Sequence, residues 1–334
     1  MTLKSKLMGA VAGAVMLTGA QGAVAGGHGG EITVAYFLEW PMPFQFAKVN
    51  GIYEEAMGTK INWVSFDTGT AMSAAMASGD VQISVSQGVP PFVVAASAGQ
   101  DIQIVDVAVS YSENDNCVVK ADLEIDKDSA GELAGKKVAV PLGTAAHYGF
   151  LSQMNHFGVD IAGMEIVDMA PAESAAALAQ GSLDMACGWG GALRRMKEHG
   201  NVLLSGAEKE ELGILVFDVT TAPASFVAEE SELLSKFLEV TAAANAMWNT
   251  GGASFMVPAI ANDAGMSEED TAATMATFEF PGVGAQLGDK WLGGGAQSFM
   301  KGVADVFVGA GSIPASLDSY AATVNTAPLA AVSN

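Results

Sequence analysis

Hydrophobic positions along the first third of the chain fall in short runs rich in β-branched and aromatic residues, separated by alanine-rich stretches. The short runs predict strands, and the alanine-rich stretches, several of which end at a glycine, predict helices. This alternation indicates parallel strands joined by right-handed helical crossovers. The predicted strands are Glu31–Phe37, Ile61–Phe66, Val81–Val85 and Ile102–Val109, and the predicted helices are Pro43–Met57, Thr68–Ser78 and Pro90–Ala98.

The same alternation restarts after the polar segment 111–116, which predicts a crossing from one lobe into another. The apolar run around Asp218 predicts the return, and the chain after Ser231 is mainly helical. We therefore predict an α/β fold with two lobes, 26–111 plus 218–334 and 112–217, each a mainly parallel sheet flanked by helices. The remaining predicted strands are Cys117–Lys120, Lys137–Pro141, Glu165–Met169, Leu183–Cys187, Val202–Leu204 and Ile214–Thr220, and the helices are Ala145–Phe157, Ala172–Gln180, Ala192–His199, Ser231–Met247, Ser267–Thr277 and Gly295–Val308.

Residues 1–25 have the pattern of a signal peptide. Lys4 and Lys6 precede an uncharged apolar run, and small residues at Ala23 and Ala25 predict cleavage before Gly26. A membrane anchor is the alternative, but the run is shorter than the roughly 20 apolar residues of a spanning helix and is rich in glycine and alanine. The pattern predicts export to the periplasm.

Composition narrows the classes of partner. The chain has 15 basic and 37 acidic residues, and without Lys4 and Lys6 the balance is 13 minus 37, or −24. So acidic a protein does not attract nucleic acid or an anionic membrane by bulk charge. We also expect the protein to be a monomer. The two cysteines, Cys117 and Cys187, form either a disulfide, as an oxidising compartment favours, or an inert reduced pair.

Sequence motifs of catalysis are missing from the chain. It contains no HExxH, CxxC, GxSxG or P-loop pattern, and no GxGxxG that opens a helix after a strand. Adjacent carboxylates such as Glu54 and Glu55 lie in polar stretches typical of solvated surface. We therefore predict a binding protein rather than an enzyme, with no cofactor and no metal.

Three loops between a strand and a helix place small and hydroxyl residues at a helix amino end: 66–70, 86–90 and 142–148. Free backbone N–H groups and the helix dipole attract an anion at such a place, whereas the alternative is that the hydroxyls only cap the helices. Three loops at the same edge of parallel strands favour binding. The candidate ligand-binding residues in these loops are Thr68, Gln87, Thr144, Ala145, His147 and Tyr148.

Four further candidates lie near the same predicted edges. Glu39 and Trp40 follow the first strand, and Trp189 lies among glycines after the strand that ends at Cys187. Asp218 interrupts an apolar run, where an unpaired buried carboxylate is costly. It should therefore meet a cation, which is either a ligand ammonium or a donor from the protein.

Several segments together resemble the periplasmic substrate-binding proteins of nitrate, sulfonate and taurine ABC importers. They are 34–36 (VAY), 66–69 (FDTG), 77–83 (ASGDVQI), 135–141 (GKKVAVP) with Thr144 and His147-Tyr148, and 217–219 (FDV). The resemblance implies a two-lobe type II binding fold that delivers its solute to a membrane permease driven by a cytoplasmic ATPase. It also implies that the helix-end loops hold a sulfonate and that Asp218 holds the amine.

We predict a receptor for taurine or a similar small sulfonate zwitterion. A first alternative is a receptor for another amine or a quaternary ammonium solute, held in an aromatic box of Trp40, Tyr148 and Trp189 with Glu39 and Asp218. A second is an enzyme on the same fold, for which the sequence offers His147 as the candidate reactive group.

Overall fold

The computed structural model describes residues 30–332. The predicted signal peptide, 1–25, lies outside the described residues. Across 30–332, every helix is too short or too polar to cross a lipid bilayer.

Ten strands form two five-stranded sheets within the described part of the chain. The strands of the first sheet are β1 (Glu31–Tyr36), β2 (Lys60–Ser65), β3 (Ile83–Gly88), β4 (Ile102–Ser110) and β10 (Phe217–Pro223). The strands of the second are β5 (Asp115–Lys120), β6 (Lys137–Val140), β7 (Glu165–Asp168), β8 (Met185–Trp189) and β9 (Gly200–Val202).

Helices cover the faces of both sheets, and most of those after β10 pack around the first. The helices are α1 (Pro43–Val49), α2 (Ile52–Met57), α3 (Gly69–Ala77), α4 (Val89–Ser97), α5 (Ala145–Phe157), α6 (Pro171–Ala179), α7 (Gly190–Lys197), α8 (Gly206–Glu211), α9 (Ala224–Glu229), α10 (Ser231–Asn249), α11 (Ala253–Ala264), α12 (Glu268–Met275), α13 (Val283–Gln286), α14 (Gly295–Gly309) and α15 (Ala327–Ala330).

The two sheets have the same topology, with strand orders β2-β1-β3-β10-β4 and β7-β6-β8-β5-β9. In each, the first three strands of that order are parallel, as predicted for strand–helix alternation. The last two joins are antiparallel in each sheet. Both sheets are therefore mixed rather than mainly parallel, because β10 returns into the first sheet and β5 enters the second against the direction of their neighbours.

The two-lobe α/β fold is confirmed by these sheets. We call the first sheet with its helices lobe 1 and the second sheet with its helices lobe 2. The chain passes from lobe 1 to lobe 2 between β4 and β5 and returns between α8 and β10. The predicted limits of the lobes, 26–111 plus 218–334 and 112–217, stay predictions.

The core is dense where the central strands meet their helices. Val34, Val85 and Val219 are fully buried at the centre of the first sheet, and Val118 and Ala139 are fully buried in the second.

A disulfide joins Cys117 of β5 to Cys187 of β8. The two cysteines face each other across an antiparallel pair, in a sheet that we predicted to be mainly parallel.

Candidate functional site

A small pocket lies between the lobes, with about 260 Å³ of empty space. All but one of the segments that line it end or follow a strand, at the edge where sheets of this class bind ligands. The exception is Asp218, near the start of β10, which reaches the same edge because β10 runs antiparallel to β3. Its lining residues are Phe37, Gly69, Gly88, Pro91, Tyr111, Thr144, Ala145, Trp189 and Asp218. Four of these, Thr144, Ala145, Trp189 and Asp218, are candidates from the sequence.

Asp218 is the acidic group of this pocket, and it is 2% exposed. Its Oδ2 accepts a hydrogen bond of 2.7 Å from the Ser86 hydroxyl, and its Oδ1 accepts one from the Tyr111 hydroxyl. Ser86 Oγ in turn accepts a bond of 2.8 Å from Trp40 Nε1. The carboxylate is thus fixed by a chain of neutral donors and has no basic side chain among these partners.

Strand pairing brings this group together. Asp218 is the second residue of β10 and lies opposite Gly88 of β3 on one side and Val109 of β4 on the other. Ser86 therefore comes from one neighbouring strand and Tyr111 from just past the end of the other. Ser86 has a φ of +63°, a left-handed conformation that is costly for a serine and that clusters at functional sites.

Burial raises the pKa of Asp218 to about 8, and the nearby Asp115 adds to the rise. The hydrogen bonds from Tyr111 and Ser86 act in the opposite direction. Burial beside Asp218 also raises the pKa of Tyr111, so its hydroxyl stays a donor. No Lys, Arg or His belongs to the pocket's described lining. Asp218 is therefore a buried acid whose charged form a nearby cation would stabilise.

Two helix amino ends face the pocket, one from each lobe. Thr68 caps α3 by accepting from the amide of Ala71, and Thr144 caps α5 by accepting from the amide of His147. These caps satisfy the third amide of each helix and leave the first two pointing along the helix axis. Gly69 and Ala145, the first residues of α3 and α5, lie on the pocket wall. The arrangement can hold an anionic group between the lobes.

Gln87 links the first turn of α3 to β10 by hydrogen bonds. It is fully buried, donates to the Gly69 carbonyl at 2.9 Å and accepts from the Thr221 hydroxyl at 2.7 Å. It ties the start of α3 to the central strands. Thr68 likewise bonds within its own loop, to Thr70. Neither Gln87 nor Thr68 is part of the pocket lining, so we assign both a supporting position.

His147 and Tyr148 lie away from the pocket. His147 accepts from the Gly143 amide and stacks on Phe307 of α14, with 5.2 Å between ring centroids. Burial lowers its pKa to about 4, so it is a neutral packing residue. Tyr148 packs edge-on against Phe299 at 5.6 Å. At a helix start the amides point along the axis while the side chains project outward, so our expectation that these two side chains face the ligand is not met by the geometry.

Trp40 and Glu39, which we predicted to bind the ligand, also lie outside the lining of the small pocket. Trp40 is 2% exposed and packs behind the acid against Tyr111 and Phe278, at 4.6 and 4.7 Å between ring centroids. The aromatic box predicted from Trp40, Tyr148 and Trp189 therefore does not form. Glu39 is held by an ion pair with Arg195 and lines the wider mouth of the cleft.

Sequence reasoning did not single out Phe37, Ser86 and Tyr111 as site residues. Phe37 follows β1 and meets Trp189 of the other lobe, with 6.1 Å between centroids. The signal for Tyr111 was its position at the predicted crossing, directly beyond a buried strand. Ser86 is the hydroxyl residue of the predicted loop 86–90, but it was not named as a candidate, because its role comes from a backbone conformation and from strand pairing.

A larger and more open groove, of about 1310 Å³, runs between α5 and α14. Three of its polar side chains, those of Asn155, His156 and Asp160, are exposed. It has no buried acid, and the described residues contain no group of three or more side chains placed to hold a metal ion. The small pocket with Asp218 is therefore the stronger candidate site.

Comparison with known proteins points to one family. Residues 42–250 match the family described as NMT1/THI5 like. A taurine-binding periplasmic protein of Escherichia coli K12 is 30% identical over 207 residues, which are 62% of this chain and 63% of that protein. The aligned part thus spans less than two thirds of the length of that relative.

Solved structures share the fold. The periplasmic aliphatic sulphonate binding protein of Escherichia coli has a TM-score of 0.69 at 20% identity, covering 86% of this chain and 90% of its own. The alkanesulfonate-binding protein of Xanthomonas axonopodis pv. citri bound to MOPS has a TM-score of 0.72 at 19% identity, covering 89% and 98%. Identities this low establish the two-lobe architecture and no more.

Proposed function

The chain belongs to the NMT1/THI5 like family, and on that premise we propose that it is a periplasmic solute-binding protein for taurine or a similar small sulfonate zwitterion. The observation that carries the proposal is the buried Asp218 in a pocket without basic side chains, facing the amino ends of α3 and α5. An ammonium is the group that such an acid lacks, and an anion is the group that the helix ends attract. A short zwitterion supplies both.

The name of the curated relative supports the same class of solute, since that protein is described as taurine-binding. The proposed ligand contacts are Asp218, Trp189, Thr144 and Ala145 from the sequence prediction, together with Phe37, Tyr111 and Gly69 from the pocket lining. Thr68 and Gln87 position the helix ends, and Trp40 positions Asp218 through Ser86. We leave Glu39, His147 and Tyr148 out of the proposed contacts, because each has another partner.

The rest of the transport assembly also belongs to the proposal. Binding proteins of ABC importers act with a membrane permease and a cytoplasmic ATPase. We propose that this chain works in the periplasm, as a monomer, and delivers its solute to such a permease. We do not propose catalysis. His147, the enzyme candidate, is neutral, packed on Phe307 and outside the pocket.

A quaternary ammonium solute is the second candidate. It is favoured by one observation, the three aromatic residues Phe37, Tyr111 and Trp189 that line the pocket beside Asp218. Such a ligand has no N–H to donate to the carboxylate, and choline also has no anionic end for the helices. Its affinity would then come from the rings rather than from α3 and α5.

Isothermal titration calorimetry on the purified protein separates these functions. The ligands are taurine, ethanesulfonate as the same chain without the amine, choline, glycine betaine and nitrate. We expect taurine to bind most tightly and ethanesulfonate at least about 30-fold more weakly, because it leaves the buried acid unpaired. Binding of choline or betaine without taurine would favour the second candidate, and no binding by any of the five would contradict both.

A further inference from the structure

Arg194 and Arg195 are the only two arginines in the chain. Both lie on α7 of lobe 2, and both pair with acids of lobe 1. Arg195 Nη1 is 2.9 Å from Glu39 Oε2, and Arg194 Nη2 is 3.1 Å from Asp270 Oδ2 of α12. Every other ion pair found among residues 30–332 joins two groups of the same lobe.

The backbone around Glu39 is shaped for this contact. Glu39 has a φ of +53°, a left-handed conformation that is uncommon for a glutamate. Its amide is anchored in lobe 1 by a 2.8 Å bond to the Ala264 carbonyl. Its carbonyl accepts from the Gly191 amide of lobe 2 at 3.4 Å. A strained residue held on one side by its own lobe thus presents both its carbonyl and its carboxylate to the other lobe.

Two glycines of lobe 2 give Glu39 room to approach. A Cβ on Gly190 would lie 2.7 Å from the Glu39 carbonyl oxygen, and one on Gly191 would lie 2.7 Å from Glu39 Oε2. Both distances are shorter than side chains tolerate. The residue before these glycines is Trp189, which lines the ligand pocket and meets Phe37. The contact at Glu39 therefore controls how close this pocket wall comes to lobe 1.

The charges of the two lobes make such pairs useful. With the predicted limits, residues 112–217 carry 8 basic and 16 acidic residues, or −8. Residues 26–111 and 218–334 together carry 5 basic and 21 acidic residues, or −16. Two bodies of like charge repel each other as they close. The arginine pairs put opposite charges in contact at the closing edge.

We propose that Arg194 and Arg195 are positioning residues that hold the lobes closed over the pocket, with Glu39 and Asp270 as their partners. They touch no ligand and act by setting the closed fraction and hence the lifetime of the complex. The proposal about closure stands on lobe contacts alone, and only its consequence for ligand lifetime rests on the proposed function.

Small-angle X-ray scattering of the ligand-free protein tests closure without any ligand. The variants are Arg194→Gln, Arg195→Gln and the double variant. The matched control is Lys137→Gln, which removes one positive charge and one exposed ion pair, to Glu165, inside lobe 2. Each exposed pair should shift the closed-to-open ratio about 1.5- to fivefold. The double variant should therefore have a larger radius of gyration than the wild type and the control. This difference in radius of gyration should be smaller at 1 M NaCl, which screens the ion pairs in the wild type.

A substitution that changes no charge tests the same ion pair independently. Gly191→Ala changes no charge and fits a helix, but its Cβ displaces the Glu39 carboxylate from Arg195. It should open the protein in the same direction as Arg195→Gln, and combining the two should add little. Thermal melting shows whether each variant is folded. A double arginine variant with the same scattering as the wild type would overturn the proposal.

The consequence for binding is measured by stopped-flow dissociation of taurine, followed by tryptophan fluorescence. The double variant should release taurine about 2- to 25-fold faster with a nearly unchanged association rate. An unchanged dissociation rate, with altered scattering, would overturn the role in ligand retention. If the wild type does not bind taurine, the proposed function fails, while the scattering result still decides the closure.

Discussion

At the scale of single residues, the account depends on Asp218 and its neutral partners. A carboxylate this deeply buried is normally matched by a cation, but here the described partners are the hydroxyls of Tyr111 and Ser86. Such donors stabilise the charge only in part, because burial still raises the pKa of Asp218 to about 8. The described lining of the pocket therefore offers Asp218 no positive partner, and we propose that the ligand supplies that charge.

Asp218→Asn keeps the shape of this side chain and removes its charge. We expect taurine affinity to fall by about 2–5 kcal/mol, roughly 30- to 4,000-fold, because the ammonium loses a buried charged partner. Calorimetry measures the loss, and ethanesulfonate is the control ligand. Its affinity should not fall, since it has no ammonium. Equal affinity of wild type and variant for taurine would contradict the role of Asp218.

The pH dependence of binding follows from the same group. Below about pH 8 the empty pocket holds Asp218 mostly protonated, and ammonium binding must release that proton. Taurine affinity should thus rise with pH by up to about tenfold per unit between pH 6 and 8, then level off. Calorimetry in buffers of different ionisation enthalpy should detect the released proton. An affinity that is flat from pH 6 to 8 in the wild type would contradict the raised pKa.

The same pKa has a consequence for stability, with the opposite sign. Between about pH 4 and 8 the folded, empty protein binds more protons at Asp218 than the unfolded chain does. The stability that the folded protein gains from protonated Asp218 is complete below pH 4 and is lost as the pH rises to 8. Ligand-free protein should become less stable over that range as far as this residue is concerned, and Asp218→Asn should remove that part of the pH dependence of thermal melting.

At the scale of helices and strands, we propose that the anion site is made of helix ends rather than of side chains. α5 begins at Ala145 on the pocket wall, while Tyr148, less than one turn later, packs outward against Phe299. Removing the cap and removing the tyrosine hydroxyl should therefore have different effects on binding.

Thr144→Ala removes the hydroxyl that caps α5 and also bonds the Pro141 carbonyl. We expect about 0.5–2 kcal/mol less stability and weaker taurine binding, because the first turn is no longer fixed. Tyr148→Phe is the matched control on the same helix and should bind taurine as the wild type does. If Tyr148→Phe were the more damaging change in a calorimetric comparison, the pocket would be placed wrongly.

The disulfide joins two strands that lobe 2 pairs directly. Cys117 and Cys187 are 70 residues apart in sequence, so the bridge closes a long loop in the unfolded chain. Replacing both with serine should lower the free energy of unfolding by about 2–4 kcal/mol, measured by urea denaturation. Ellman's assay on unfolded, unreduced protein from the periplasm comes first, and two free thiols there would contradict the bridge.

Sequence reasoning predicted most elements because each has a local signal. α5 spans Ala145–Phe157 as predicted, since a threonine cap and a terminal glycine mark its ends. The helix predicted over 43–57 is divided at Gly51, whose φ is +67°. Helix α11 was not predicted individually, because Pro258 lies inside it and proline disfavours a helix interior.

The direction of β5 and β10 and the composition of the site could not be predicted in the same way. Alternation of strands and helices predicts parallel neighbours, but it carries no information on where a returning strand inserts. Asp218 was identifiable as an acid in an apolar run. Ser86 and Tyr111 were not, because only the pairing of β10 between β3 and β4 brings them to its carboxylate.

At the scale of the whole molecule, the pocket exists only where both lobes meet. Asp218, Tyr111, Phe37 and the start of α3 belong to lobe 1, and Trp189 with the start of α5 belongs to lobe 2. The chain passes between the lobes twice, so they can move relative to each other without separating. We therefore expect binding and closure to be coupled, because the acid and the opposing helix end can act together only when the lobes are close.

A crystal structure of the protein with taurine tests this account most directly. The account predicts closed lobes, the taurine nitrogen within about 3.2 Å of the Asp218 carboxylate, and the sulfonate oxygens at the first amides of α3 or α5. Taurine bound in the open groove between α5 and α14, or bound with its sulfonate toward Asp218, would contradict it.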